Sequence, residues 1–492
     1  KVFTNFKRID KTGEHKLDSF KRDEKGIIKD NLIIKGNNLL ALASLKKEFA
    51  GKVKLIYIDP PYGKEADTFY NDSFKYSTWL TFIKNRLEIT KQLLSKDGVI
   101  FISISEKNFA RLKLLCDDIF KEENLVGMTT IQVATTASYR SINICPVNVS
   151  EYLLIYTRDK NEVKMNPVYI ESDYSEDYSH YINNFENKPE KWILQGLDEI
   201  IHKKEGVTNW REFKAKFGPN WKRKRYELKA DFAFKNKEKV VSLNTLQKPS
   251  KAISEIITKS KETRNKIFVL DRNEKNSIYV YNGRTLAFYS SKFRSVDGEL
   301  VSTEILTNIW TDISFLGLGN EGGVDFPNGK KPEALLERLI KLISQNKNDL
   351  ILDFYLGSGT TCAVAHKMGR QYIGIEQMDY GKDDSIVRLK NVINGDQSGI
   401  SKGVDWKGGG DFVYMELSKW NEEWMEKIQT AKTNKELVKL WNEMKETAFL
   451  SYKVDPKIID TNAKEFTDLN IDNQKKFLIE CLDKNQLYVN YS

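Results

Sequence analysis

The sequence predicts an α/β protein: a parallel sheet with helices on both faces, carrying an inserted α+β region and a helical C-terminal region. Three observations carry the prediction. Short β-branched runs alternate with amphipathic helical stretches over residues 30–130, and the same rhythm returns over 324–415. Between them, over 131–323, the alternation breaks into short strands, polar loops and charged helices. Residues 416–492 carry helical periodicity throughout, which suits an interaction or dimerisation module.

Composition sets the outer bounds. A chain of 492 residues that is 40% hydrophobic is long enough for several domains with substantial cores. No apolar run approaches the ~20 residues that span a bilayer, and no signal-peptide pattern opens the chain, so no membrane partner is expected. Cys116, Cys145, Cys362 and Cys481 are scattered without a CxxC pair, and His15, His180, His202 and His366 lack metal-ligand spacing. Neither a disulfide framework nor a metal is expected, and a reducing cytoplasm fits. The net charge of +9 permits a polyanionic partner without requiring one.

In chain order, residues 1–29 are charged, lack apolar periodicity and read as an arm or peripheral helix. Leu32-Ile33-Ile34 reads as a strand, and Leu39 to Phe49 as a helix burying Leu39, Leu42 and Leu45. Lys54 to Ile58 is a buried strand stopped by Asp59-Pro60-Pro61-Tyr62, because two prolines fix φ and remove backbone donors. After a polar, aromatic loop, Ser77 is placed to cap a helix bearing Trp79, Ile83, Leu87 and Leu94 on one face. Val99 to Ile102 is a further strand, and Phe109 to Phe120 a helix.

Within the break, residues 203–229 hold ten Lys or Arg against three Glu, interleaved with Trp210, Phe213, Phe217, Trp221 and Tyr226. Trp210, Phe213 and Phe217 stand at helical spacing and read as core. Lys222-Arg223-Lys224-Arg225 is open to two readings, a phosphate-contacting patch or a solvated helix face. Downstream, Lys331-Pro332-Glu333-Ala334 opens a helix with Leu335, Leu336, Leu339, Ile340 and Ile343 inward. Asp349 to Tyr355 is a strand running into Leu356-Gly357-Ser358-Gly359-Thr360-Thr361, with a helix to Met368 and a strand ending at Glu376.

Two of these turns carry chemistry. Asp59-Pro60-Pro61-Tyr62 presents a carboxylate, prolyl carbonyls and an aromatic ring, a set that suits a planar amino group; four residues alone are equally an ordinary strand-ending turn. Gly357-Ser358-Gly359 lets a ligand approach the backbone at a helix start. A P-loop would need a lysine that Gly359-Thr360-Thr361 lacks. A dinucleotide site wants a small third residue where Cys362 stands. S-adenosyl-L-methionine needs an acid at the end of the next strand to accept its ribose hydroxyls, and Glu376 is there.

Together the two turns resemble those of amino-group DNA methyltransferases. Asp59-Pro60-Pro61-Tyr62 matches that family's catalytic motif, and Asp353-Phe354-Tyr355-Leu356-Gly357-Ser358-Gly359-Thr360-Thr361 its cofactor motif. The catalytic motif comes first with a large insert between, which is the β-class order. Gly36-Asn37-Asn38-Leu39-Leu40-Ala41-Leu42, Ser77-Thr78-Trp79-Leu80 and Lys331-Pro332 further resemble the Mod subunits of Type III restriction–modification systems. Tyr355 stands where the family has Phe, Leu356 where it has a small residue, and Gly63-Lys64-Glu65 where it often has Asn-Thr-Gly.

The resemblance implies a Rossmann-like methyltransferase sheet, with 131–323 as the target-recognition domain, and S-adenosyl-L-methionine as cofactor. It implies methyl transfer to N6 of a flipped-out adenine in double-stranded DNA, without a covalent intermediate. Asp59 and the Pro60 carbonyl would accept the N6–H groups and Tyr62 would stack on the base. Lys331 would hold the cofactor carboxylate and Asn37 would lie near its adenine. Phe69, Tyr70 and Phe74 are open to two readings, lining the base pocket or anchoring their own loop. A homodimer and a restriction (Res) partner are implied as well. Ser often replaces the motif's Asp in cytosine-N4 enzymes, so Asp59 favours adenine over that alternative. An orphan adenine methyltransferase, a NAD-dependent oxidoreductase and a silent DNA-binding subunit are the other readings. Cys145-Pro146 reverses the Pro-Cys order of cytosine-C5 enzymes, and is read as structural.

Overall fold

The computed structural model describes residues 3–62, 76–135, 146–272, 275–296, 298–326, 329–417, 420–447 and 466–482. The chain begins with an antiparallel pair, β1 (Phe3–Asp10) and β2 (Gly13–Lys16), then β3 (Leu32–Lys35), α1 (Asn38–Phe49) and β4 (Val53–Ile58). It continues through α2 (Tyr76–Leu93), β5 (Leu94–Ile104), α3 (Glu106–Phe120), β6 (Leu125–Gln132) and β7 (Ser150–Thr157).

A separate compact unit, Pro167–Leu306, follows. It contains β8 (Tyr169–Glu171), β9 (His180–Ile182), β10 (Leu194–Gly196), α4 (Leu197–Glu205), α5 (Trp210–Phe217) and α6 (Trp221–Lys235). After these come β11 (Val240–Asn244), α7 (Lys251–Glu262), β12 (Ile267–Arg272), β13 (Lys275–Tyr281), β14 (Arg284–Phe288), β15 (Phe293–Val296) and β16 (Glu299–Ile305). The first unit resumes with β17 (Ile309–Trp310), α8 (Glu333–Ile343), β18 (Leu350–Asp353), α9 (Thr360–Lys367), β19 (Gln371–Glu376), α10 (Ser385–Ile393), β20 (Asp411–Leu417), α11 (Trp420–Thr430) and α12 (Asn434–Thr447).

One sheet of eleven strands organises the first unit, in the order β17-β6-β7-β5-β4-β18-β19-β3-β20-β1-β2. The six central strands from β5 to β20 run parallel to one another, with Ile56 opposite Leu352 and Ile375 opposite Ile34. They read as continuous apolar runs because both faces are covered. On one face Ile34, Ile56, Ile102, Leu352 and Ile375 join Leu42, Trp79 and Leu112 from α1, α2 and α3 in a single core. On the other, a Cβ on Gly374 would lie 2.8 Å from Cys362 Sγ of α9 and 2.9 Å from Ile33 Cδ1, so only glycine lets the helix pack this close.

The crossover direction reverses in the middle. From β4 the chain crosses through α2 to β5 on one side, and from β18 through α9 to β19 on the other. Ligands of open α/β sheets sit outside the carboxyl ends of the strands at such a point.

Three expectations need correction. Residues 3–16 are not a peripheral arm or helix but two strands: β1 pairs with β20, buries Ile9 and packs Phe3 and Phe6 partly against the main core, a three-residue spacing that does not read as a strand. The inserted unit is shorter than 131–323. Its flanks are β6, β7 and β17 of the main sheet, where β7 buries Leu153, Leu154, Ile155 and Tyr156. Ser77 lies inside the first turn of α2, after Tyr76.

The C-terminal helices α11, α12 and Ile471–Leu482 gather Trp424, Ile428, Leu437, Trp441, Met444, Leu478 and Leu482 into an apolar cluster of their own. The described cysteines, Cys116, Cys362 and Cys481, are free and buried. Among the described residues, no helix is long and apolar enough to cross a membrane.

Candidate active site

The Asp59 turn is held from two directions. The Trp79 indole donates to the Pro61 carbonyl at 2.7 Å, and Asn108 Nδ2 donates to the Tyr62 carbonyl at 2.7 Å. Helices α2 and α3 thus fix a segment that its prolines have already made stiff. The Asp59 carboxylate accepts from the Tyr62 hydroxyl at 2.7 Å through Oδ1 and faces Lys331 Nζ at 3.1 Å through Oδ2. A second carboxylate completes the group: Glu151 Oε2 lies 2.9 Å from Lys331 Nζ and 3.1 Å from the Tyr62 hydroxyl. Burial pushes the Asp59 carboxyl up, Lys331 pulls it down and Glu151 pushes it up again, leaving it above the ordinary value. Burial alone would lower Lys331, but Asp59, Tyr62 and Glu151 hold its ammonium well above the usual lysine range.

The glycine loop sits at the end of the adjacent strand. Gly357 and Gly359 adopt φ of +51° and +82°, conformations that side chains rarely take. A Cβ on Gly359 would crowd Ser385 at 2.9 Å, whereas one on Gly357 would meet only Phe326 at 3.9 Å, so the backbone is open there. Glu376, at the end of β19, accepts from the backbone N–H groups of Gly357, Gln377 and Met378, each at 2.8 Å. Burial raises its carboxyl and those three donors lower it again, with a net rise. Asp353 is buried, accepts from the Tyr355 N–H at 2.9 Å and bonds the Thr361 hydroxyl at 2.5 Å; burial pushes it up to about 7.

Lys331 joins the two turns. Its side chain reaches Asp59, and its own carbonyl accepts from the Thr360 hydroxyl at 3.1 Å. Pro332 is the N-cap of α8, and the next residue, Glu333, is fully buried. Glu333 pairs with Lys367 of α9 at 2.9 Å and with Arg388 of α10 at 2.9 Å, while Arg388 Nη1 also donates to Thr360 at 2.7 Å and contacts Ser358 at 3.4 Å. A buried ion network therefore ties the start of α8 to both helices behind the glycine loop. Buried charges persist only where they are paired this fully.

The remaining expected residues fall into three groups. Asp59, Pro60, Pro61, Tyr62, Lys331, Asp353, Gly357, Ser358, Gly359, Thr360, Thr361 and Glu376 come together at one end of the sheet. Asn37 caps α1, accepting from the Leu39 and Leu40 N–H groups. Its neighbour Asn38 is the residue that reaches the cofactor-motif strand end, donating to the Phe354 carbonyl at 2.7 Å and accepting from Arg86 at 2.6 Å. Tyr355 stacks obliquely between Phe354 and Phe82. Phe69, Tyr70, Phe74 and Cys145 lie outside the described residues.

In the inserted unit, Phe213 is buried on α5 as core, while Lys222 and Arg223 are exposed on α6. Arg225 turns inward instead, pairing with Asp198 at 3.0 Å and Glu176 at 2.5 Å and lying over the Trp210 ring. Glu151, Glu333, Lys367 and Arg388 were not expected at all. A single Glu before an apolar strand resembles an exposed strand start, and only the adjacency of β7 to β5 reveals otherwise.

An open parallel sheet with an acidic Pro-Pro-Tyr turn and a glycine loop at its switch point defines the class, and the family follows. The family model described as DNA methylase matches residues 53–271 and 220–386, and the chain belongs to this family. It is 38% identical, over all of its length, to the "Probable type III restriction-modification enzyme HindVI Mod subunit" of Haemophilus influenzae. It is 28% identical, over 72% of its length, to the type III restriction-modification enzyme EcoP15I Mod subunit of Escherichia coli. The chain spans 68% of the first relative and 60% of the second. The crystal structure of M1.HpyAVI with SAM matches over 73% of this chain and 98% of that one, at 14% identity and a TM-score of 0.33.

Proposed function

We propose that the chain is a site-specific DNA methyltransferase that modifies the N6 amino group of an adenine flipped out of duplex DNA. The observation that carries this reading is the meeting of the Asp59 turn and the Gly357 loop through Lys331. S-adenosyl-L-methionine fits the second half of the site. The open backbone at Gly357, the carboxylate of Glu376 and the ring of Phe326 suit a ligand with a ribose diol, an adenine and a methionine end. Bound there, it supplies an electrophilic methyl group.

The protein's own part is to make a poor nucleophile competent. The N6 lone pair is delocalised into the purine ring. Acceptance of the N6–H groups by the Asp59 carboxylate and the Pro60 carbonyl localises the lone pair, and stacking on Tyr62 fixes the ring plane. Extruding the base costs a few kcal/mol, offset by contacts in the pocket. Lys222 and Arg223, exposed on α6, are candidate phosphate contacts in the inserted target-recognition unit.

By the same family relation, the chain acts in the cytoplasm as the modification component of a restriction–modification system. It forms a homodimer and works with a Res subunit.

The test is direct. The chain is incubated with duplex DNA and cofactor carrying a deuterated methyl group, and the digested nucleosides are weighed by mass spectrometry. Labelled N6-methyladenine is expected. Labelled N4-methylcytosine would overturn the choice of base, and unlabelled DNA the whole reading. Asp59→Ala should abolish labelling while DNA affinity survives.

A further inference from the structure

Both oxygens of Asp59 are engaged. Oδ1 accepts from the Tyr62 hydroxyl at 2.7 Å and Oδ2 faces the Lys331 ammonium at 3.1 Å. Each carboxylate oxygen can accept two hydrogen bonds, so an incoming amino group shares Asp59 with these donors and gains the whole carboxylate only when they move. If Asp59 were its only anionic partner, moving Lys331 would leave a buried ammonium without a counter-charge, which is strongly unfavourable. With no other acceptor in reach, moving the Tyr62 hydroxyl would likewise strand a buried donor.

The two donors share a second acceptor. Glu151 Oε2 is 2.9 Å from Lys331 Nζ and 3.1 Å from the Tyr62 hydroxyl. A phenol has one proton, so Tyr62 can donate to Asp59 or to Glu151 but not to both, and the choice between two arrangements is built in. Glu151 stands near the start of β7, which is held by antiparallel pairing to β5, with Tyr152 opposite Ile104. Its backbone is thus fixed independently of the Asp59 turn.

We propose that Glu151 is a positioning residue that receives Lys331 and Tyr62 as they leave Asp59, freeing the Asp59 carboxylate to accept the target amino group. The inference rests on the methyl-transfer reading above. Glu151 itself touches no reacting atom. It keeps the ammonium and the phenol satisfied in both arrangements, so that the exchange at Asp59 proceeds without an unpaired buried group.

The experiment compares wild type, Glu151→Gln and Glu151→Asp by steady-state methylation of duplex DNA, with cofactor affinity measured by calorimetry and folding by thermal melting. Glutamine keeps the shape but not the counter-charge. Its kcat should fall roughly 10–100-fold, with cofactor Kd and melting temperature little changed. Aspartate keeps the charge at shorter reach and should recover at least about tenfold of that loss. Three results would overturn the proposal: wild-type kcat in Glu151→Gln, equal losses in both variants, or a loss confined to KM. Should Glu151→Gln fail to fold, the aspartate variant decides by itself, since a kcat as low as a glutamine-like loss denies the role of charge. A wild-type chain that transfers no methyl group would remove the underlying reading and this proposal together. An active wild type beside an indifferent Glu151→Gln would remove the proposal alone.

Discussion

At the scale of single residues, Asp353 shows how burial, aided by the nearby carboxylates of Asp59 and Glu376, sets a charge state. Its carboxyl lies at about 7 against an ordinary 3.8, because desolvation outweighs the Thr361 hydroxyl and Tyr355 N–H that favour the anion. The folded chain therefore keeps a proton that the unfolded chain releases above pH 3.8. The resulting stabilisation is complete below that value and lost as pH rises through about 7. Asparagine can keep both hydrogen bonds without titrating. The stability of the wild type relative to Asp353→Asn should fall between pH 4 and 7, by at most roughly 4 kcal/mol. Denaturant melts of both proteins across that range check this, and parallel curves would contradict it. Asp353, Asp59 and Glu376 are legible in the sequence because each ends an apolar strand. Glu151 is not, since its role depends on which strand lies beside it, and Arg225 misleads because its acidic partners come from distant positions in the chain.

At the scale of elements, the start of α8 controls the site. Lys331 and Pro332 precede Glu333, whose buried carboxylate is clamped by Lys367 and Arg388 and also accepts from the Ile400 N–H at 3.1 Å. A Cβ at Gly399 would fall 2.2 Å from Glu333 Oε2, so the loop closes on the carboxylate with no room to spare. Truncating Glu333 to alanine leaves Lys367 and Arg388 short of a common partner inside the protein. The expected cost is about 3–5 kcal/mol, read as a lowered urea midpoint with an unchanged slope. A loss below about 1 kcal/mol would mean that the cations find other partners, Asp396 for Lys367 and Glu321 for Arg388 being nearest. The apolar faces of α1, α2 and α8 are visible as helical periodicity, and each buries the residues that the spacing selects, except that Leu94, placed on the α2 face by spacing, instead opens β5, where the chain has already left the helix. The ion network is invisible in sequence because a glutamate at a helix start and a lysine at a helix end resemble solvated, dipole-complementing residues until the neighbouring helices are known.

At the scale of the molecule, the two motifs stand about three hundred residues apart in sequence yet on adjacent strands. Parallel pairing of β4 with β18 makes this unavoidable, because both turns then leave the sheet at the same end, at its switch point. The alternation of strands and helices was enough to predict that end of the sheet, though not its width. β1 and β2, largely polar, extend it by edge pairing that leaves little trace in hydrophobic pattern, whereas β7, an apolar run legible as a strand, lies beyond the expected boundary. The insert was recognisable as a break in rhythm, but its limits were not, since β7 and β17 return to the first sheet.

The central claim is that these two turns enclose one cofactor. A crystal structure with a non-reactive analogue of S-adenosylmethionine tests it most directly. The account predicts the ribose at Glu376, the amino-acid end against the Gly357–Thr361 loop, and the atom replacing the methyl group directed at the Asp59 turn. An analogue bound elsewhere, or bound at the loop with its methyl position turned away from Asp59, would contradict it.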